Sequence, residues 1–147
     1  MERKKRRRKA RLSRRQRTRY LSLLREIKKC KKEDRNQSMF PYDDWQYPKY
    51  VGHSIASVAY HWAKQWGCRK DVDIVKLQTA VCKFGNAKTI FLFAKNIPEA
   101  NINKLQYEII KRDDPYWIRM FAEHISNSKT EMLNRMANVA EIMEDLS

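Results

Sequence analysis

The stretch "ERKKRRRKARLSRRQRTRY" at positions 2–20 concentrates the residue types with the most binding chemistry in this sequence. Positions 3–19 hold 12 Lys or Arg and no acid. A guanidinium forks onto two phosphate oxygens and stacks on a base face, which an ammonium group cannot do. Arg3, Arg6, Arg7, Arg8, Arg11, Arg14, Arg15, Arg17 and Arg19, with Lys28 and Lys29 further on, are therefore the candidates for gripping a nucleic-acid backbone. Ser13, Gln16 and Thr18 sit among them and are of the kind that reaches sugar or base edges. The charge is strongly one-sided. Residues 1–36 carry 18 Lys and Arg against 4 Asp and Glu, a net of +14, whereas residues 37–147 net +1. Such a distribution marks a basic arm attached to a nearly neutral body.

Catalytic chemistry is not written into the rest. The three glycines stand apart at 52, 67 and 85, so no Gly-rich loop can cradle a phosphate, and neither C-x-x-C nor H-E-x-x-H occurs. His61 and Cys68 are seven residues apart and His53 is eight residues before His61, too loose for the paired spacing of structural zinc. Asp113 and Asp114 precede Pro115 and read as a helix cap. His124 reads as an outward polar position. Trp62, Trp66 and Trp117 have apolar neighbours at helical spacing and read as core. We expect no catalytic residue, no metal site and no cofactor: the chain does not read as an enzyme. Cys30, Cys68 and Cys82 are an odd number at unrelated spacings, which favours free thiols in a reducing compartment.

Low Gly and Pro with abundant Leu, Ile, Ala, Lys and Glu point to an all-α chain. We expect three parts: an arm at 1–36 ending in an amphipathic helix, an aromatic connector at 37–52, and a helical repeat domain at 53–147. In the arm, Tyr20, Leu23, Leu24, Ile27 and Cys30 share one helical face, which would dock on the body and hold the Arg block in place. The block before residue 20 repels itself and is expected to order only on a ligand. The connector "SMFPYDDWQYPKYVGH" can either cover an open end of the helical body or stack bases. Tyr42, Trp45 and Tyr47 are the base-stacking candidates, and Asp43 and Asp44 argue for the covering role by repelling phosphates.

The body repeats. "IVKLQTAVCKFGNAKTIFLFAKNIPEAN" (74–101) aligns without a gap on "INKLQYEIIKRDDPYWIRMFAEHISNSK" (102–129), with nine of 28 positions identical. A partial third unit begins at Thr130, with Leu133 in the place of Leu77 and Leu105. Two short helices and two turns fill such a period, the unit of a helical-hairpin stack. Asn86, Asn101 and Asp113 or Asp114 are the expected caps, with Gly85 and Pro98 as stops and Ser128 with Glu131 opening a last helix that runs towards Met143. On I-x-K-L-Q and I-x-x-F-A, residues 74–129 resemble tandem helical repeats of uncharacterised bacterial and phage proteins. That resemblance implies an α-solenoid-like fold and a binding surface, with no activity.

The expected function is a non-enzymatic nucleic-acid-binding protein, RNA before DNA, whose arm supplies affinity and whose helical body supplies shape or a surface for a protein or ribonucleoprotein partner. The alternatives are a phage-type inhibitor, anti-CRISPR-like, docking on a nucleic-acid-handling ribonucleoprotein, and a ribosome- or ribonucleoprotein-associated subunit. No apolar run nears the roughly 18 residues that span a bilayer, and no apolar segment follows the basic residues as in a secretory signal. The first 19 residues offer only Ala10 and Leu12 to a membrane surface, so no membrane partner is expected. The expected compartment is intracellular and cytoplasmic, or nuclear or nucleolar in a eukaryote, because a basic cluster also matches an import signal.

Overall fold

The computed structural model describes residues 6, 7, 10–30, 54–125 and 130–146. Arg3, Arg8, the connector at 37–52 with Tyr42, Trp45 and Tyr47, His53, and Ser128 of the last expected cap lie outside the described residues. Within those residues the chain is all-helical, with seven helices and no β-strand. They are α1 (Arg14–Lys29), α2 (Ile55–Trp66), α3 (Ile74–Phe84), α4 (Ala87–Asn96), α5 (Ile102–Lys111), α6 (Pro115–His124) and α7 (Thr130–Leu146). The helices fall into two compact units, one running from Arg6 to Gly85 and the other from Asn86 onward. No described helix is long and apolar enough to cross a membrane.

In the first unit α2 packs against α3, and α1 lies on α2. Burial follows the apolar spacing: Val58, Ala59, Trp62 and Ala63 on α2, Leu77, Ala80, Val81 and Phe84 on α3, Tyr20 and Leu23 on α1. Leu23 is fully buried, a contribution of about 1.5–3 kcal/mol for a side chain of its size. Gly67 ends α2 directly after Trp66, so Cys68 leaves the helix that carries His61. Trp62 is buried and tilts against Tyr20 and Trp66, while Arg69 stacks over the Trp66 ring 5.4 Å from its centre.

Side-chain caps start the helices as the polar residues before them dictate. Asp73 accepts from the N–H groups of Val75 and Lys76, Asn86 from Thr89, Asn101 from Lys104, and Asp114 from Tyr116 with Pro115 next. Of the two aspartates before Pro115, Asp114 is the cap. Asp113 closes the preceding turn at φ 57, a left-handed conformation that Asp tolerates better than most residues.

Structural features recur at the spacing of 28. Starts at Ile74 and Ile102, starts at Ala87 and Pro115, and C-caps at Ile97 and Ile125 are each 28 residues apart. Leu77, Gln78, Val81, Ile90, Phe93, Ala94 and Ile97 are buried, and so are Leu105, Gln106, Ile109, Ile118, Phe121, Ala122 and Ile125 at the same offset. In the second unit α6 packs on α7, and the Arg119 guanidinium donates to Glu141 at 2.6 Å and to Asn138 at 2.8 Å.

Candidate nucleic-acid interface

Helix α1 begins at Arg14, six residues before the apolar face that suggested it. The cause is a capping box. The Ser13 hydroxyl accepts from the Gln16 N–H at 3.2 Å, and the Gln16 side chain accepts from the Ser13 N–H at 3.0 Å. Both side chains, read as base-edge donors and acceptors in the sequence, are engaged in starting the helix. Thr18 donates its hydroxyl to the Arg14 carbonyl one turn back. The basic block is helical from residue 14.

Hydrogen bonds of Arg6, Leu12, Arg17 and Tyr20 hold this helix and the residues before it on their unit. The Tyr20 hydroxyl accepts from the N–H of Asp73 at 2.8 Å, tying α1 to the cap of α3. The Leu12 N–H donates to Oδ1 of Asp71 at 3.0 Å, and Nε of Arg17 reaches Oδ2 of the same carboxylate at 3.4 Å. Arg6 donates to the carbonyls of Ala63 and Lys64 at 2.9 and 2.8 Å. Those carbonyls lie in the last turn of α2, where the helix dipole favours a cation. Leu12, one of two membrane anchors considered, is buried.

Burial and proton affinity follow from this anchoring. Partial burial alone would raise the Asp71 carboxyl. The N–H of Leu12, its own N–H and the Arg17 guanidinium together outweigh that and hold it below the ordinary carboxylate value. Burial is the main cause that pushes the Tyr20 hydroxyl up, assisted by the charges of Asp73 and Asp71 and opposed by the Asp73 N–H.

The sequence candidates separate into two groups. Arg6 and Arg17 bond within the protein, and Arg19 is half-buried. Arg7, Arg11, Arg14, Arg15, Lys28 and Lys29 are exposed. Lys29 lies 3.9 Å from Glu26, a loose pair that solvent screens. Helical geometry sets Arg14, Thr18, Leu21, Arg25 and Lys28 on one outward stripe at i, i+4, i+7, i+11 and i+14. Arg25 was not among the sequence candidates, and its place on this stripe was readable from that spacing. Thr18, Leu21, Leu24, Arg25 and Lys28 line a shallow depression with an apolar floor and a cationic rim.

The electrostatics of α1 are unusual at one end. Its first turn carries Arg14, Arg15 and Arg17 and no acid, so cations stand at the positive end of the helix dipole, where Arg17 is paired with Asp71. Each such placement costs a few tenths of a kcal/mol to about 1 kcal/mol, and a bound anion offsets it. At the other end Lys28 and Lys29 complement the dipole.

Among the described residues no group of three or more His, Cys, Asp or Glu is placed to hold a metal ion. Cys68 is buried, and His124 is exposed with its ring edge to Phe91. Comparison with known proteins finds no matching family model, no matching curated protein and no matching solved structure.

Proposed function

We propose that this chain is a non-enzymatic nucleic-acid-binding protein, RNA before DNA, that grips phosphates with the outer face of α1 and the residues leading into it. One observation carries the reading. A docked helix presents Arg14, Arg25 and Lys28 on a single outward stripe, and Arg7, Arg11 and Arg15 are exposed as well. A pre-positioned helix avoids part of the ordering entropy that a free basic tail loses on binding. The apolar floor at Leu21 and Leu24 gives a base or sugar somewhere to pack between phosphate contacts. The preference for RNA rests on the arginine-rich character of the block, which suits the grooves and bulges of structured RNA.

The caps and buried positions that recur at 28 residues support reading α3 to α6 as two copies of a two-helix sequence repeat, with a partial third beginning at α7. In this reading the helical body offers shape, or a surface for a protein partner.

Deleting residues 1–36 would be a poor test, because Tyr20 and Leu23 belong to the buried interior. The test instead keeps α1 and replaces Arg7, Arg11, Arg14, Arg15, Arg25 and Lys28 with Gln. Intact protein should bind a structured RNA more tightly than a duplex DNA of equal length, and the folded variant should lose binding to both. Equal affinity of variant and intact protein for RNA would refute the assignment.

A further inference from the structure

Two copies of the 28-residue repeat let each retained position be matched to a cause. Seven of the nine identical pairs, from Ile74 with Ile102 to Ile97 with Ile125, are buried or half-buried, and packing accounts for them. Six pairs are exposed in both copies. Four of these have diverged: Val75 against Asn103, Thr79 against Tyr107, Lys88 against Tyr116 and Lys95 against Glu123. The other two are identical, and both are lysine: Lys76 with Lys104, and Lys83 with Lys111.

Lys83 and Lys111 stand in the last turns of α3 and α5, where a cation complements the helix dipole. Lys76 and Lys104 stand in the first turns, three residues after the caps Asp73 and Asn101, where the dipole opposes a cation. A Glu or Gln at that place would complete a capping box, as Gln16 does in α1. No acid common to both copies holds the lysine there. Asp73 precedes Lys76, but the second copy has neutral Asn101 in its place. Glu108 follows Lys104 by one turn, but the first copy has Ala80, and Glu108 is shared between Lys111 at 3.6 Å and Arg112 at 3.5 Å. Of the helices packed on these two, α2 and α4 carry no acid, and α6 carries Glu123, 3.9 Å from His124. Residues 86–125 are nearly balanced, with six Lys and Arg against five Asp and Glu, so what recurs is one lysine and not a basic field.

We propose that Lys76 and Lys104 are ligand contacts repeated with the fold: each takes a phosphate of an RNA strand, so that the helical body binds nucleic acid as well as the outer face of α1. The claim rests on reading the chain as an RNA-binding protein, and it is made of each helix in its own unit. The occupant follows from the recurrence. A polymer that offers the same anion at regular steps can use one residue per repeat, as repeat proteins that assign one helical repeat to each nucleotide do. A folded acidic partner presents no such regular step. The N–H groups of Lys76 and Lys104 already donate to Asp73 at 3.4 Å and Asn101 at 3.2 Å, which leaves the ammonium groups as the contacts.

The test is Lys76→Gln with Lys104→Gln in the full chain, read by affinity for a structured RNA carrying a single-stranded tail across a salt series, and by urea unfolding. Affinity should fall several-fold, and the log–log salt slope should flatten by about 1.4 to 1.8, two contacts at roughly 0.7 to 0.9 each. The urea midpoint should hold or rise, because each helix start loses an opposed cation. Lys83→Gln with Lys111→Gln should do the reverse, lowering the midpoint and leaving the slope unchanged. If the intact chain binds RNA and the Lys76, Lys104 variant keeps its slope, this inference is overturned and the α1 reading stands. An equal loss of slope from both lysine pairs overturns it too, since bulk charge then suffices. Poly-glutamate bound through the two lysines as tightly as the RNA overturns phosphate as the anion. An intact chain that binds no RNA brings down the α1 reading and this inference with it.

Discussion

The Arg6 guanidinium occupies the space that a side chain on Gly67 would need. A Cβ on residue 67 would press closest on the backbone carbonyl oxygen of Ala63, and would lie 2.5 Å from Nη2 of Arg6 and equally close to Cδ1 of Ile74. The backbone there is ordinary right-handed, φ −63, so glycine is required for room and not for its torsional freedom. At such a φ an alanine would otherwise stabilise the chain through its unfolded state. Here overpacking should prevail, and Gly67→Ala should lower stability by about 1–3 kcal/mol. Part of that loss should vanish in an Arg6→Ala background, because the two residues are in contact. Urea unfolding of the four proteins gives the cycle.

Asp71 links arm docking to pH, and Tyr20 does so with the opposite sign. The native Asp71 carboxyl binds a proton less readily than the unfolded one, whose ordinary value is 3.8. Its contribution is therefore complete above 3.8 and fades as pH falls through the lower native value. For Tyr20 the native value lies above 10.0, so its contribution is complete below 10.0 and is lost as pH rises through the native value. Docking of α1 should be insensitive to pH across the neutral range. Asp71→Asn should lower the urea midpoint at neutral pH, and its curve should converge on wild type in acid.

Removing the cap of α1 should separate helix formation from charge. Ser13→Ala breaks the reciprocal bonds with Gln16 and should cost about 1 kcal/mol. Amide exchange should then quicken at residues 14–17 while the C-terminal half of α1 stays protected. RNA affinity should fall although no charge has changed, since Arg14 and Arg15 lose their fixed positions. Unchanged affinity would mean that the arm binds as a free chain.

Leu23→Ala should cost about 2–5 kcal/mol, the usual range for a fully buried leucine. Leu21→Ala, on the exposed face, should leave stability within about 0.5 kcal/mol of wild type. If Leu21 is the floor of the binding face, its removal should nonetheless weaken RNA binding. Thermal melts and binding isotherms of the two variants should thus rank in opposite orders.

Local chemistry accounts for what the sequence made legible. Asn86, Asn101 and Asp114 cap their helices with their own side chains, and Leu77, Phe93, Leu105 and Phe121 fall on apolar faces that periodicity reveals. The start of α1 was also legible, because Ser13 and Gln16 spell a capping box, but the apolar face from Tyr20 onward gave a later start. Long-range pairings were not legible. Arg6 reaches carbonyls 57 and 58 residues away, and Asp71 takes the Leu12 N–H across 59 residues. Composition treats Arg6 and Arg14 alike, and only the fold shows that one anchors the helix while the other faces outward.

The most direct test of the outward face as a phosphate-binding surface is the salt dependence of RNA binding. If about 5 to 8 cations meet phosphates, log affinity should fall against log salt with a slope of about −3.5 to −7 for intact protein. Replacing Arg7, Arg11, Arg14, Arg15, Arg25 and Lys28 with Gln should flatten that slope by about 4 to 5, at roughly 0.7 to 0.9 per contact. Replacing Arg17, which pairs with Asp71, should lower stability and leave the slope nearly unchanged. A slope near zero for intact protein, or the same slope in the six-residue variant, would contradict the account.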